Sequence, residues 1–181
     1  MLYTKTAPVG IDIPIQQAQK KLFNNLSKVW PQGITYDAHG RCYRNKKGNG
    51  MIAEVFVGND EYKEVYLNDT LAAISFFGIA DKIAIQAEAI VNVHLVVFAN
   101  LDKLKPGISH RADEEVRQDV ARAMGNAAYG LNYESLEMGI DNILREYPGS
   151  RREDGLKAAD MSPWHCFRLN YRMIYNPLST C

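Results

Sequence analysis

The sequence is poor in the groups that carry most familiar chemistry. Its 3 cysteines, Cys42, Cys166 and Cys181, include no CxxC pair, so they supply neither a disulfide framework nor a thiolate metal site. The 4 histidines, His39, His94, His110 and His165, stand apart, without the HxH or HExxH spacing that puts two imidazoles on one ion. No apolar run reaches the roughly 18 residues that suggest a membrane helix, and residues 1–10 lack the basic and apolar regions of a signal peptide. The expectation is a soluble protein made in a cytoplasm, with reduced thiols and no glycan at Asn25 or Asn68.

A charge surplus is also missing, because 21 Lys+Arg face 21 Asp+Glu. Proteins that coat nucleic acid need a cationic excess to neutralise phosphates. Disorder is excluded by 46% hydrophobic against 23% charged residues. The 181 residues suffice for one core, so a single domain over 1–181 is expected. A chain without net self-repulsion associates readily.

Pattern supplies the elements. Pro8, Gly10 and Pro14 around Val9, Ile11 and Ile13 predict an extended N-terminal arm over 1–14. Apolar residues at spacings of three and four from Ile15 to Trp30 predict an amphipathic helix stopped by Pro31 and Gly33. His39-Gly40 reads as a turn. Arg41 to Arg44 and Met51 to Val57 then flank a basic glycine-rich tip, Asn45 to Gly50, as a long hairpin, and a turn at Gly58-Asn59-Asp60 leads into a strand from Glu61 to Leu67. A short apolar run covers Ile74 to Ile79. Ala87 to Leu101 alternates with both faces apolar, the signature of a central strand, and Asn100 to Gly107 then leaves the sheet.

Helices are expected from Asp113 to Tyr129 and from Leu136 to Tyr147, followed by a charged loop over 150–160. Trp164 to Tyr175 has clean period two and should pair beside the Ala87 to Leu101 strand. Strands that cluster rather than alternate with helices define an α+β fold, with a mainly antiparallel sheet and helices on one face.

No catalytic constellation emerges. The glycines after Lys46-Lys47 lead into a strand, not a helix N-terminus, which makes a hairpin tip the preferred reading and a phosphate contact the lesser one. His165 and Cys166 are adjacent on a strand and point to opposite faces, so they cannot act as thiolate and base; a cross-strand pairing of Cys166 with His94 stays open. The carboxylate pairs Asp60-Glu61, Glu114-Glu115 and Glu153-Asp154 lie in solvated settings. No catalytic, cofactor-binding or metal-binding residue is therefore assigned. Interface types are plentiful instead: Arg168, Asn170 and Arg172 form a polar stripe on the last strand, and tyrosines such as Tyr62 and Tyr66 fall at exposed-looking positions.

The N-terminal helix, the long-tipped hairpin, the strand Val91 to Leu101, the helix Glu114 to Ala128 and the closing Pro163-Trp164-His165-Cys166-Phe167-Arg168-Leu169-Asn170-Tyr171 strand resemble the neck proteins of tailed bacteriophages. The likeness is nearest to the tail-terminator and tail-completion type in the stacked rings of crAss-like phages. It implies a structural virion protein rather than an enzyme, made in the host cytoplasm and forming a homo-oligomeric ring between portal and tail. Its partners would be further copies of itself, neighbouring neck, portal-adaptor or tail proteins, and DNA that passes through without specific binding. Carried over by position, the arm (Val9, Ile11, Ile13) and tip (Arg44, Lys46, Lys47) become contact elements, beside the interface candidates Tyr62, Tyr66, Arg168 and Arg172. The 150–160 loop has no counterpart in the simplest version of that fold. The alternative reading is a small intracellular enzyme or binding module with a cleft near Cys166 and His94.

Overall fold

A computed structural model describes residues 1–65, 69–80, 84–85, 89–108, 110–125, 127–139, 143 and 163–175. Among them the elements run α1 (Asp12–Val29), β1 (Tyr36–Lys47), β2 (Gly50–Gly58), β3 (Glu61–Glu64), β4 (Ala73–Ile79), β5 (Ala84–Ile85), β6 (Ala89–Asn100), α2 (Leu101–Leu104), α3 (Asp113–Met124), β7 (Ala127–Ala128), β8 (Leu131–Met138) and β9 (Trp164–Tyr175). The strand order is β3-β2-β1-β4-β6-β9-β8-β7, with β5 on β6. Of the strand pairs among the described residues, only β1 with β4 is parallel. The fold is α+β with a mainly antiparallel sheet, as the clustering of strands predicts.

The sheet centre is the pairing of β6 with β9, unbroken from Ala89↔Tyr175 to Asn100↔Trp164. Period two then sorts the side chains. Val91, Val93, Leu95, Val97 and Ala99 join Phe167, Leu169, Tyr171 and Met173 in one cluster, under Ile15, Ala18, Leu22 and Leu26 of α1 and Val116 and Val120 of α3. Val96, Phe98 and Cys166 face the other way, against Cys42 of β1 and Ala53 and Val55 of β2. One face is thus covered by helices and the other by the β1–β2 hairpin.

A bulge makes this possible. The β1–β4 register slips between Ala38 and Arg41, at the His39-Gly40 pair expected to be a turn. One extra residue inverts the alternation: Tyr36 and Ala38 face the helices, whereas Cys42 faces the opposite cluster. The strand therefore bends and continues. Burial pushes the Cys42 thiol up to about 12, far from a nucleophilic thiolate at neutral pH.

The two long helices are tied by side chains as well as by apolar packing. Lys21 Nζ donates to the Met124 carbonyl at 2.6 Å and Asn25 Nδ2 to that of Ala123 at 2.9 Å, so α1 satisfies carbonyls that the end of α3 leaves unbonded. The buried Trp30 Nε1 donates to Asp119 Oδ2 at 3.1 Å, and Lys105 Nζ lies 2.6 Å from the same oxygen.

Three expectations are revised. The arm is extended only at its start: α1 begins at Asp12, with Pro14 in its first turn, where a missing N–H costs nothing. Met1 to Tyr3 pair in parallel with β1 around Ala38, and Gln19 Nε2 donates to the carbonyls of Tyr3 (2.7 Å) and Ala38 (2.8 Å). The second helix stops at Met124, because Gly125 has a φ of 72° and Ala127–Ala128 enter the sheet. Leu136 does not open a third helix but belongs to β8. A register slip between Tyr133 and Ser135 spaces Leu131, Tyr133, Leu136 and Met138 unevenly and hides their period of two. Farther along that expected helix the buried Ile143 is helical, its N–H bonding the Gly139 carbonyl at 3.4 Å; residues 140–142, 144–147 and the 150–160 loop lie outside the described residues.

Gly130 has a φ of 77°, and a Cβ there would meet the Ile174 carbonyl oxygen at 2.5 Å. Gly130→Ala is expected to cost about 1–3 kcal/mol, measured by urea unfolding. His39 stacks on Tyr3 at 4.6 Å between ring centroids and bonds the Phe56 carbonyl through Nδ1 at 3.1 Å. Burial lowers its pKa from the ordinary 6.5, against the opposing effects of that hydrogen bond and of Asp37. The native ring stays neutral where the unfolded ring protonates, so its contribution is complete above about pH 6.5 and is lost as pH falls below it. The unfolding free energy should decline on acidification from pH 7 to 5, and less steeply in His39→Gln; equal slopes would refute the assignment.

Candidate functional site

The covering of β6 and β9 by the hairpin is incomplete at one end, and a polar cleft of about 420 Å³ opens there. The ladders show how side chains line it. Asn92 stands opposite Arg172, His94 opposite Asn170, Val96 opposite Arg168 and Phe98 opposite Cys166. On the far side of β9, Ser135 lies beside Asn170 and Glu137 beside Arg168. Successive rows on this face pass from polar at the mouth to apolar beneath the hairpin.

Glu137 organises the floor. Its Oε2 lies 2.8 Å from the Arg168 guanidinium, and Oε1 accepts from Asn170 Nδ2 at 3.1 Å. Asn170 Nδ2 also lies 3.0 Å from Ser135 Oγ. Arg168 is only 9% exposed, and a charge that deep requires such partners.

Strand geometry limits the chemistry. Ser135 and His94 sit two strands apart in one row, roughly 10 Å between Cα atoms, too far for a serine and its base to bond directly. His94 and Cys166 share a face, but their ladder partners Asn170 and Cys166 are four residues apart on β9, roughly 13 Å along the strand. His94 lines the cleft, whereas Cys166 is fully buried in the apolar cluster. The pairing left open by the sequence does not form.

The residues singled out from sequence scatter over the molecule. Ile11 is 6% exposed and packs in the chain's own core, and Ile13 is half-buried in the first turn of α1. Arg44 and Arg168 come together at the cleft. Lys46 and Lys47 are exposed at the hairpin tip, and Arg172 is exposed on β9. Tyr62 is 42% exposed with its ring edge-on to Tyr43 and Phe56. Tyr66 lies outside the described residues.

A second polar cluster fastens the arm. Lys5 Nζ bonds Asp12 Oδ2 at 2.8 Å and Tyr43 Oη at 2.6 Å, while Tyr43 donates to the same Asp12 oxygen at 2.7 Å. Burial works against the Lys5 ammonium, but hydrogen bonds to Asp12, Tyr43 and Tyr62 outweigh it and hold its pKa above the usual lysine value.

The feature sequence reasoning missed is the edge at β8. It pairs with β9 along its length, but β7 covers its other side only at Leu131 and Asn132. From Tyr133 to Met138 that edge is open among the described residues. Tyr133 (49% exposed), Leu136 (36%) and Met138 (51%) lie along it. Leu131 and Tyr133, two apart and followed by two more apolar residues after the slip, were the available signal.

Comparison with protein families, with curated proteins and with solved structures finds no match to this chain. No helix among the described residues is long and apolar enough to cross a membrane, and those residues hold no cluster of three metal-ligating side chains. Removing the carboxylate in Glu137→Ala takes one ion-pair partner from the buried Arg168 and should cost about 1–3 kcal/mol, read as a lower urea midpoint at unchanged slope.

Proposed function

We propose that this chain is a structural subunit that assembles into a homo-oligomeric ring in the neck of a tailed bacteriophage, between portal and tail, joining head to tail around the DNA channel. The observation that carries the reading is the open β8 edge with Tyr133, Leu136 and Met138 exposed along it. Unpaired strand edges invite another chain unless charge, proline or a cover blocks them, and exposed apolar residues on such an edge gain from burial. The element order gives further support: an N-terminal helix, a long hairpin, a central strand, a helix and a closing strand are the features on which the likeness to tail-terminator proteins rests. A balance of 21 basic against 21 acidic residues suits a wall past which DNA slides, because no net cationic field holds the phosphates.

In this role the work of the protein is geometric. The buried core keeps the wall rigid, and the edges join it to its neighbours. Light scattering or native mass spectrometry should give a mass that is a multiple of 20.4 kDa, and peptides of the chain should be found in purified particles. A protein that stays monomeric at every concentration and is absent from particles would overturn the proposal.

A further inference from the structure

We infer that the ring contact is a strand-to-strand join between opposite ends of the molecule: the free edge of β1 near the hairpin tip in one copy seats along the free edge of β8 in the next. This rests on the ring reading above and names the surfaces that make it.

Two open edges are present among the described residues. In the strand order β1 lies between β2 and β4. Its pairing with β4 ends at Arg41, while its pairing with β2 runs on to Lys47, so among the described residues no strand pairs with the β4 side of β1 over residues 45–47. The other open edge is β8 from Tyr133 to Met138. The strand order places β1 toward one end of the sheet and β8 toward the other.

Charge selects how such edges meet. Residues 45–52 contain Lys46 and Lys47 and no acid, whereas β8 contains Glu134 and Glu137 and no base. Joining β8 to β8 would set carboxylates against carboxylates, and joining tip to tip would set ammonium groups against each other, both unfavourable when directly opposed. The unlike join alone is attractive. Lysines on an edge strand commonly guard it against indiscriminate pairing; here the same lysines discriminate in favour of an acidic edge. A contact between surfaces at opposite ends of the sheet leaves one of each unfilled after a single join. It repeats head to tail and forms a ring when the rotation closes. Met51, 46% exposed beside the tip, and Leu136 and Met138 on β8 supply apolar area to the join.

Charge reversal tests it without touching buried residues. Lys46→Glu/Lys47→Glu alters the tip, and Glu134→Lys alters β8 while leaving Glu137 on Arg168. Masses are measured at low and high salt for the wild type, each variant alone and an equal mixture of the two, after matching thermal unfolding. Each variant alone should assemble on the order of tenfold more weakly than wild type, and added salt should weaken the wild-type assembly. The mixture should assemble again, because each altered edge then meets an unlike partner in the alternate subunit, a recovery that a folding defect cannot produce. Variants that assemble as wild type does, or a mixture that stays monomeric, would overturn the join and leave the ring reading standing. A wild type that never assembles would overturn both.

Discussion

The antiparallel join of β6 to β9 is the interaction on which the rest depends. Its register is unbroken from Ala89↔Tyr175 to Asn100↔Trp164, and both of its faces are buried over most of that length. Registry is strongly fixed where a one-residue slip would turn apolar side chains toward water, and here a slip would misplace two clusters at once. The helices rest on one side of this join and the hairpin on the other. The cleft opens where the hairpin's cover ends, and β8, with its open edge, is held in place by pairing with β9.

The same alternation that stabilises the centre shapes the cleft. Phe98 and Cys166 share a row beneath the hairpin, Val96 stands with Arg168, and His94 stands with Asn170 nearer the mouth. Moving along the two strands therefore moves from a dry environment to a polar one without any change of backbone. Arg168 sits at the transition, which is why it is buried yet held by the half-exposed Glu137.

Much of this was legible in the sequence where a single period ran undisturbed. Ile15 to Trp30 repeats at three and four, and Ala87 to Leu101 and Trp164 to Tyr175 at two, and α1, β6 (Ala89–Asn100) and β9 form there. The turn residues Asn59 and Asp60 take φ values of 50° and 56°, as a two-residue hairpin loop demands. Legibility failed where one extra residue interrupts a strand. At His39-Gly40 the break is real but the strand continues beyond it, and at Tyr133–Ser135 the slip makes a strand imitate a helix. The β8 edge was lost with that misreading, and with it Glu134 and Glu137. The glycines around Lys46 and Lys47 mark a tip, whereas the open side of β1 follows from where its pairing with β4 ends, which no local pattern encodes.

One consequence concerns the order of events during synthesis. Among the described residues β9 follows every other strand, and its pairing with β6 runs from Asn100↔Trp164 to Ala89↔Tyr175. Until β9 emerges, β6 keeps one long apolar edge unfilled, and the described pairing left to β8 is with the two residues of β7. Such sequence-distant pairing folds slowly, because the entropy of closing the intervening chain is spent before the contacts form. The β8 edge can therefore take its native place only after β9 has left the ribosome, so the surface used by the proposed join is among the last parts of the sheet to be finished.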